Sequence, residues 1–191
     1  MTDLFMKLLL PGFKPNFELE EMYQTDPEVY TQNLLDNIEV SKRSEMCAAL
    51  LKTLAKYHTD KVQDLLKNII SDYYNNFKQQ NQTNEENEIV IQKLIFHSLV
   101  SGFRRINGVV EINMSQELIL FTYNNIVKST LGTYFQAIES GSLSGEGCIT
   151  TNMGITITVC LKYVMMFRNF LDYGEMLEIL KYISMFLKLG D

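Results

Sequence analysis

The feature that most constrains the fold of this chain is a run of apolar residues with helical spacing between positions 62 and 77. Its members fall at positions i, i+3, i+4, i+7, i+8, i+11, i+12 and i+15. They are Val62, Leu65, Leu66, Ile69, Ile70, Tyr73, Tyr74 and Phe77. Because an α-helix turns once in about 3.6 residues, this spacing places the whole run on one face of a helix. Thr59 or Asp60 is the candidate N-cap.

A second apolar face precedes the first almost without a break. It lies in residues 42–57, has Ser41 as a candidate cap, and consists of Met46, Cys47, Leu50, Leu51 and Leu54. Two consecutive helices that are joined by only two or three residues pack antiparallel. The sequence therefore predicts a helical hairpin over residues 41–78.

Similar patterns recur along the rest of the chain. Asp26 is the candidate cap of a short helix that begins with Pro27 and runs to about residue 37, and Asp172-x-x-Glu175 is a capping box for the last helix. Further helices are expected at about 88–101, 115–137 and 154–170, separated by loops at 102–114 and 139–152.

The first helices of three successive pairs begin near residues 42, 88 and 154. The two intervals are thus 46 and 66 residues, and the shorter lies within the range of HEAT and armadillo repeats, about 40–47. The longer interval requires an insertion, for which the loops at 102–114 and 139–152 are the candidates. We therefore expect an all-α protein, a right-handed α-α superhelix of the HEAT-repeat type, with about three antiparallel helix pairs. The expected units are 1–40 (the end of a repeat with an extended insertion and a short helix), 41–78, 79–137 and 138–191.

Composition excludes several classes of function. Of the 191 residues, 46% are hydrophobic, and the formal charge is −6. A mildly acidic chain is poorly suited to bind nucleic acid, which requires clustered cations. Cys47, Cys148 and Cys160 are widely spaced and odd in number, which argues against a disulfide framework. The longest nearly apolar stretch, 155–167, is too short for a membrane span, so we expect a soluble intracellular protein.

The sequence contains no pattern typical of an active site. His58 and His97 are the only histidines, and neither has a second ligand at helical spacing, so we predict no metal and no cofactor. We expect a protein that is not an enzyme. A thiol-dependent hydrolase is a remote alternative, and an independent all-α adaptor that binds a partner helix in an apolar groove is a stronger one. A closed bundle of that kind should lack a broad exposed apolar face at either end, whereas a solenoid segment should expose one at both.

Two segments resemble the CAS family, the HEAT-repeat nuclear exporters of importin-alpha. The first is YTQNLLDNIEVSKRSEMCAALLKTL at 30–54, whose matching positions are Tyr30, Leu35, Asp36, Glu39, Arg43, Leu50, Lys52 and Leu54. The second is LKYVMMFRN at 161–169. The stretch from Leu10-Pro11 to Tyr30 also resembles an extended insertion that this family carries just upstream. Ala49 and Phe170 depart from the family pattern.

The resemblance implies a scaffold that shuttles between nucleus and cytoplasm through the nuclear pore. It would bind Ran-GTP together with importin-alpha, and nucleoporins are further candidate partners. The residues that the resemblance brings forward as partner contacts are Asp36, Glu39, Lys42, Arg43, Lys162, Arg168 and Asn169. Arg168 and Asn169 also have an ordinary structural explanation, because they end a helix. Exporters of this family are several times longer, so we expect a segment of a longer protein that is able to self-associate through exposed solenoid ends.

Overall fold

The structure is a computed structural model that describes residues 2–12, 17–35, 42–80, 103–106, 109–112, 114–141 and 150–188. Within these ranges the chain is helical apart from one short β-hairpin. No helix among the described residues has both the length and the apolar character that crossing a membrane requires.

The described elements follow one another in a simple order. Helix α1 is continuous through Thr2–Leu4, a π-helical turn at Phe5–Leu9, and Leu10–Gly12. It is followed by α2 (Phe17–Thr25), α3 (Pro27–Leu35), α4 (Lys42–Tyr57), α5 (Thr59–Gln80), β1 (Phe103–Ile106) and β2 (Val109–Ile112). Helix α6 runs through Gln116–Thr122, a π-helical turn at Tyr123–Val127, and Lys128–Glu139. The chain continues with α7 (Thr151–Phe167), a 3₁₀ turn (Arg168–Phe170) and α8 (Tyr173–Lys188).

Side-chain caps define several of the helix starts. The Asp26 carboxylate accepts a hydrogen bond from Val29 N at 3.0 Å, and Ser115 Oγ accepts one from Leu118 N at 3.3 Å. At α8 the capping box is reciprocal, since Glu175 N donates to Asp172 Oδ1 and Asp172 N donates to Glu175 Oε2. Each bond satisfies a backbone amide that has no partner within its helix. The predicted caps at Asp26 and Asp172 are confirmed.

Helices α4 and α5 form the predicted hairpin and are joined only by His58. Their facing apolar residues are fully buried, among them Leu51 on α4 and Leu66 and Ile70 on α5. The opposite side of α5 is polar and exposed, with Asp60, Asp64, Asn68 and Asp72 at intervals of four residues. An amphipathic helix therefore buries one stripe and exposes the other, as the sequence predicts.

The second helices of the successive pairs lie side by side and point the same way. Between α5 and α6, Gln63 Oε1 accepts from Ser115 N at 3.2 Å, and Lys67, further along α5, pairs with Glu117. Between α6 and α8, Lys128 pairs with Glu178 at 3.0 Å. Further along these two helices the rings of Phe135 and Tyr182 stack, with centroids 4.0 Å apart. In each pair of helices, residues later in one helix contact residues later in the other. Helices α5, α6 and α8 are therefore parallel.

Helix α7 runs in the opposite direction. Tyr163 Oη, near its C-terminal end, donates to the carbonyl of Ile119 near the start of α6 at 3.1 Å. The 3₁₀ turn that follows α7 contacts the same first part of α6. Most of α7 is buried, because it packs against both α6 and α2. Parallel second helices with antiparallel first helices are the arrangement of stacked helix pairs, so the all-α solenoid is confirmed.

Two parts of the prediction are revised. The loop expected at 102–114 contains the antiparallel hairpin β1–β2, with Phe103 opposite Ile112 and Arg104 opposite Glu111. The dipeptide Asn107-Gly108 between the two strand sequences is the sequence signal for a hairpin. The insertion expected to be extended contains the helix α2. The helix predicted at 88–101 lies outside the described residues, and the HEAT assignment and the right-handed turn remain predictions.

Candidate partner-binding surface

The N-terminal insertion crosses the stack and contacts the last helix pair. Helices α2 and α3 pack together, and α2 lies on the start of α7. Gln24 Nε2 donates to Thr151 Oγ1 at 3.0 Å. The hydroxyl of Tyr23 lies against Gly154, where a Cβ atom would overlap with Tyr23 Oη and come within 2.6 Å of Cζ. The absence of a side chain at Gly154 is thus what lets α2 approach α7 this closely.

Two tyrosines anchor this insertion. The rings of Tyr23 and Tyr30 meet edge to face, with centroids 5.2 Å apart and planes at 87°. Burial raises the pKa of both phenols, and for Tyr30 the neighbouring Tyr23 raises the pKa further. Tyr30 is a position of the CAS-like motif, and through Tyr23 it joins α3 to α2 within the insertion.

The first group of predicted contact residues surrounds the start of α4. Lys42 is the first residue of α4, and Arg43, in its first turn, is exposed. Asp36 and Glu39 lie outside the described residues.

Lys162, from the second group, has a different environment from the one its charge suggests. Its side chain is only 4% exposed, within the mostly buried helix α7. α7 packs on two sides, so an aliphatic lysine stem is covered there even though its head is charged. Burial argues against direct contact between Lys162 and a partner in this conformation.

Arg168 and Asn169 lie in the 3₁₀ turn after α7, and both are exposed. Arg168 Nη1 donates to the carbonyl of Met165 at 3.0 Å. This bond satisfies one of the free carbonyls at the end of α7, which is the helix-end role that the sequence allowed. The turn contacts α6, whereas Arg43 lies on α4, so the structure places the two predicted groups on different parts of the stack.

Apolar residues are exposed at both ends of the stack. Tyr173, Leu177 and Leu180 on α8 are 79%, 47% and 56% exposed. At the other end, Leu4 and Leu8 on α1 and Met46 on α4 are exposed as well. Exposed apolar residues at both ends are expected for a solenoid segment and are not expected for a closed helix bundle.

The described residues do not assemble a catalytic or metal centre. Within them, no group of three or more His, Cys, Asp or Glu side chains is placed to hold a metal ion. Cys47 and Cys160 are buried, and burial raises the pKa of the Cys160 thiol. A buried thiol of that kind holds its proton at neutral pH and is a poor nucleophile. Cys148 and His97 lie outside the described residues.

The sequence was compared with the profiles of known protein families. The profile of the Cse1 family matches residues 1–191, the whole length of the sequence. The chain belongs to the Cse1 family. This is the family of CAS-type importin-alpha exportins, a family of transport receptors and not of enzymes. No significant match to a curated protein or to a solved structure was found.

Membership in the Cse1 family confirms the resemblance carried by the motifs at 30–54 and 161–169. The chain is thus a karyopherin-type segment of the nucleocytoplasmic transport machinery. The contact that sequence reasoning missed is the one between α2 and α7. Its local signal in the sequence is Gly154, a glycine within the first turn of a mostly buried helix.

Proposed function

We propose that this Cse1-family chain takes part in the export of importin-alpha from the nucleus, and that it contributes to a complex with Ran-GTP. The observation that carries the proposal is the family match over residues 1–191. The proposal places the protein in the nucleus and cytoplasm, with transit through the nuclear pore and nucleoporins as transient partners.

The stacked architecture supports this role. The described second helices α5, α6 and α8 lie side by side, and stacked helix pairs present an extended surface to a partner. Large partners such as a GTPase and an adaptor protein bind to surfaces of this kind, because a standard interface buries about 800 Å² on each side. The insertion α2–α3 adds a second layer that is fixed to α7 through Tyr23 and Gln24.

The proposed contact residues are those near the insertion and the turn after α7. Asp36, Glu39, Lys42 and Arg43 form the first group, and Arg168 and Asn169 form the second. Lys162 is left out of the proposal because its side chain is buried. A guanidinium such as that of Arg43 pairs with carboxylates in a bidentate geometry, which favours an acidic patch on the partner.

The proposal is tested by retention of Ran on the immobilised chain, with Ran loaded with GTP or with GDP and with or without importin-alpha. Selective retention of the GTP form, increased by importin-alpha, is the expected result. Equal retention of both nucleotide states, or of neither, would contradict a Ran contact in this chain.

Charge reversal then identifies the surface involved. Arg43→Glu should reduce retention of Ran-GTP by about tenfold or more, the range in which loss of a charged interface contact falls. Lys52→Glu is the matched control, because Lys52 is an exposed cation on the same helix α4 and lies more than two turns from Arg43. An equal loss in both variants would indicate a general effect of charge and would remove Arg43 from the proposed site.

A further inference from the structure

Helix α6 contains a π-helical turn, and the parts before and after this turn pack against different neighbours. Gln116–Thr122 and the turn Tyr123–Val127 contact α5, whereas Lys128–Glu139 contacts α8. The residues that flank the turn have ordinary α-helical dihedral angles, φ −64° and ψ −44° at Thr122 and φ −63° and ψ −44° at Lys128. The departure from α-helical geometry is therefore confined to the point where α6 passes from one neighbour to the next.

A π turn changes the mechanics of a helix locally. Its i→i+5 hydrogen bonds enclose one residue more than the i→i+4 bonds of an α-helix. Sharp bends in helices occur mainly at prolines and at π turns of this kind. Residues 116–139 contain no proline, so the turn is the place in α6 where a change of angle is expected.

Tyr123, the first residue of the turn, has a fully buried side chain. Its hydroxyl group has no hydrogen-bond partner among the described residues. By contrast, the buried hydroxyl of Tyr163 donates to the carbonyl of Ile119. Burial of a hydroxyl without a partner is unfavourable, because the group is desolvated and gains no bond in return. A second conformation that supplied an acceptor for Tyr123 would therefore be favoured by this bond.

The candidate acceptors for such a bond lie at the start of α8. Burial raises the pKa of the Tyr123 phenol. The negative charges of Glu175, Glu178 and Asp172 raise this pKa further, so these carboxylates lie near the phenol. Glu178 already accepts a hydrogen bond from Tyr182. Glu175 accepts from Asp172 N through Oε2, and a carboxylate accepts at both of its oxygens, so Oε1 is the best placed acceptor for Tyr123.

We propose that α6 bends at the π turn, and that in the bent conformation the Tyr123 hydroxyl donates to Glu175 Oε1. The part of α6 after the turn moves together with α8, because the Lys128–Glu178 pair and the stacked rings of Phe135 and Tyr182 hold them to each other. The bend therefore changes the angle between α5 and α8. The proposal is independent of Ran and importin-alpha, because it depends only on contacts within the chain.

NMR relaxation dispersion of backbone amides measures exchange between the two conformations, because collective motions of packed helices take microseconds to milliseconds. The unmodified chain should show exchange at Tyr123–Val127 and at the start of α8. Tyr123→Phe should remove this exchange, because the variant lacks the bond that stabilises the bent conformation. Tyr163→Phe is the matched control. It removes a buried hydroxyl that already has its acceptor, so it should lower the urea midpoint and leave the exchange in place.

Three results of this comparison would overturn the proposal. An unmodified chain without exchange at the turn would contradict a second conformation. Equal exchange in the unmodified chain and in Tyr123→Phe would show that the hydroxyl is not the donor. Loss of exchange in Tyr163→Phe as well would indicate a general effect of core packing instead of a bond made by Tyr123.

Deletion of a single residue tests the turn itself. Asn124 is exposed within the turn, and its deletion restores i→i+4 spacing while both parts of α6 keep their orientation. This variant should fold, keep the urea midpoint of the unmodified chain and lose the exchange. Deletion of Thr133, exposed in the regular part of α6, is the matched control. It turns the residues after it by about 100°, separates Phe135 from Tyr182 and should lower the midpoint. An equal loss of stability in both deletions would contradict a bend at the turn.

Discussion

At the scale of single residues, the contact between Tyr23 and Gly154 gives a direct test of how the insertion is held. Gly154→Ala introduces a methyl group that overlaps with Tyr23 Oη, so it should lower the free energy of unfolding by about 1–3 kcal/mol. In a Tyr23→Ala background the overlap is gone. There the same substitution should stabilise the protein by up to about 1 kcal/mol, because alanine is a better helix former than glycine. Urea denaturation of the four proteins of this double-mutant cycle measures both effects.

Gly132→Ala is the control for helix propensity alone. A Cβ atom at Gly132 would be 3.9 Å from Tyr182 Oη, which is ordinary van der Waals contact. This substitution on α6 should therefore stabilise the protein. Additive effects of Gly154→Ala and Tyr23→Ala would show that α2 does not pack on α7 through this contact.

At the scale of elements, the interface between α6 and α8 should make stability depend on pH. Glu178 accepts a hydrogen bond from Tyr182 Oη at 2.6 Å and pairs with Lys128. The Tyr182 hydrogen bond, followed by Lys128, lowers the pKa of Glu178 below its ordinary value of 4.5. A lowered pKa in the folded state means that the unfolded chain binds the proton more tightly. The stabilisation from Glu178 is thus present above pH about 4.5 and is lost as the pH falls through the folded-state pKa.

Two substitutions separate this contribution from general acid destabilisation. Glu178→Gln should reduce the fall of the urea midpoint between pH 5 and pH 3, because no carboxylate remains to protonate. Tyr182→Phe should reduce the fall in the same direction. It removes the hydrogen bond that contributes most to the low pKa and keeps the ring that stacks on Phe135. An unchanged pH dependence in both variants would mean that Glu178 does not contribute to it.

Elements whose cause is local could be predicted from the sequence. The stripe of α5, the hairpin with α4, and the caps at Asp26 and Asp172 follow from residues within a few positions of one another. The packing of α2 on α7 could not, because it joins Gln24 to Thr151, 127 positions apart. The burial of Lys162 could not either, since its charge predicts exposure and only the packing of α7 on two sides covers it.

At the scale of the whole molecule, α6 lies between α5 and α8, so its core should couple the stability of all three. Leu131 is fully buried on α6, and Leu131→Ala should lower the free energy of unfolding by about 2–5 kcal/mol. In a stack of helix pairs each unit is stabilised by its neighbours. Amide hydrogen exchange should therefore become faster in α5 and α8 as well as in α6. Met46→Ala, at an exposed position, should change the free energy of unfolding by less than about 0.5 kcal/mol and leave exchange unchanged. Faster exchange confined to α6 would instead show that the pairs unfold independently. A surface that spans several pairs would then not be held as one rigid unit for a large partner.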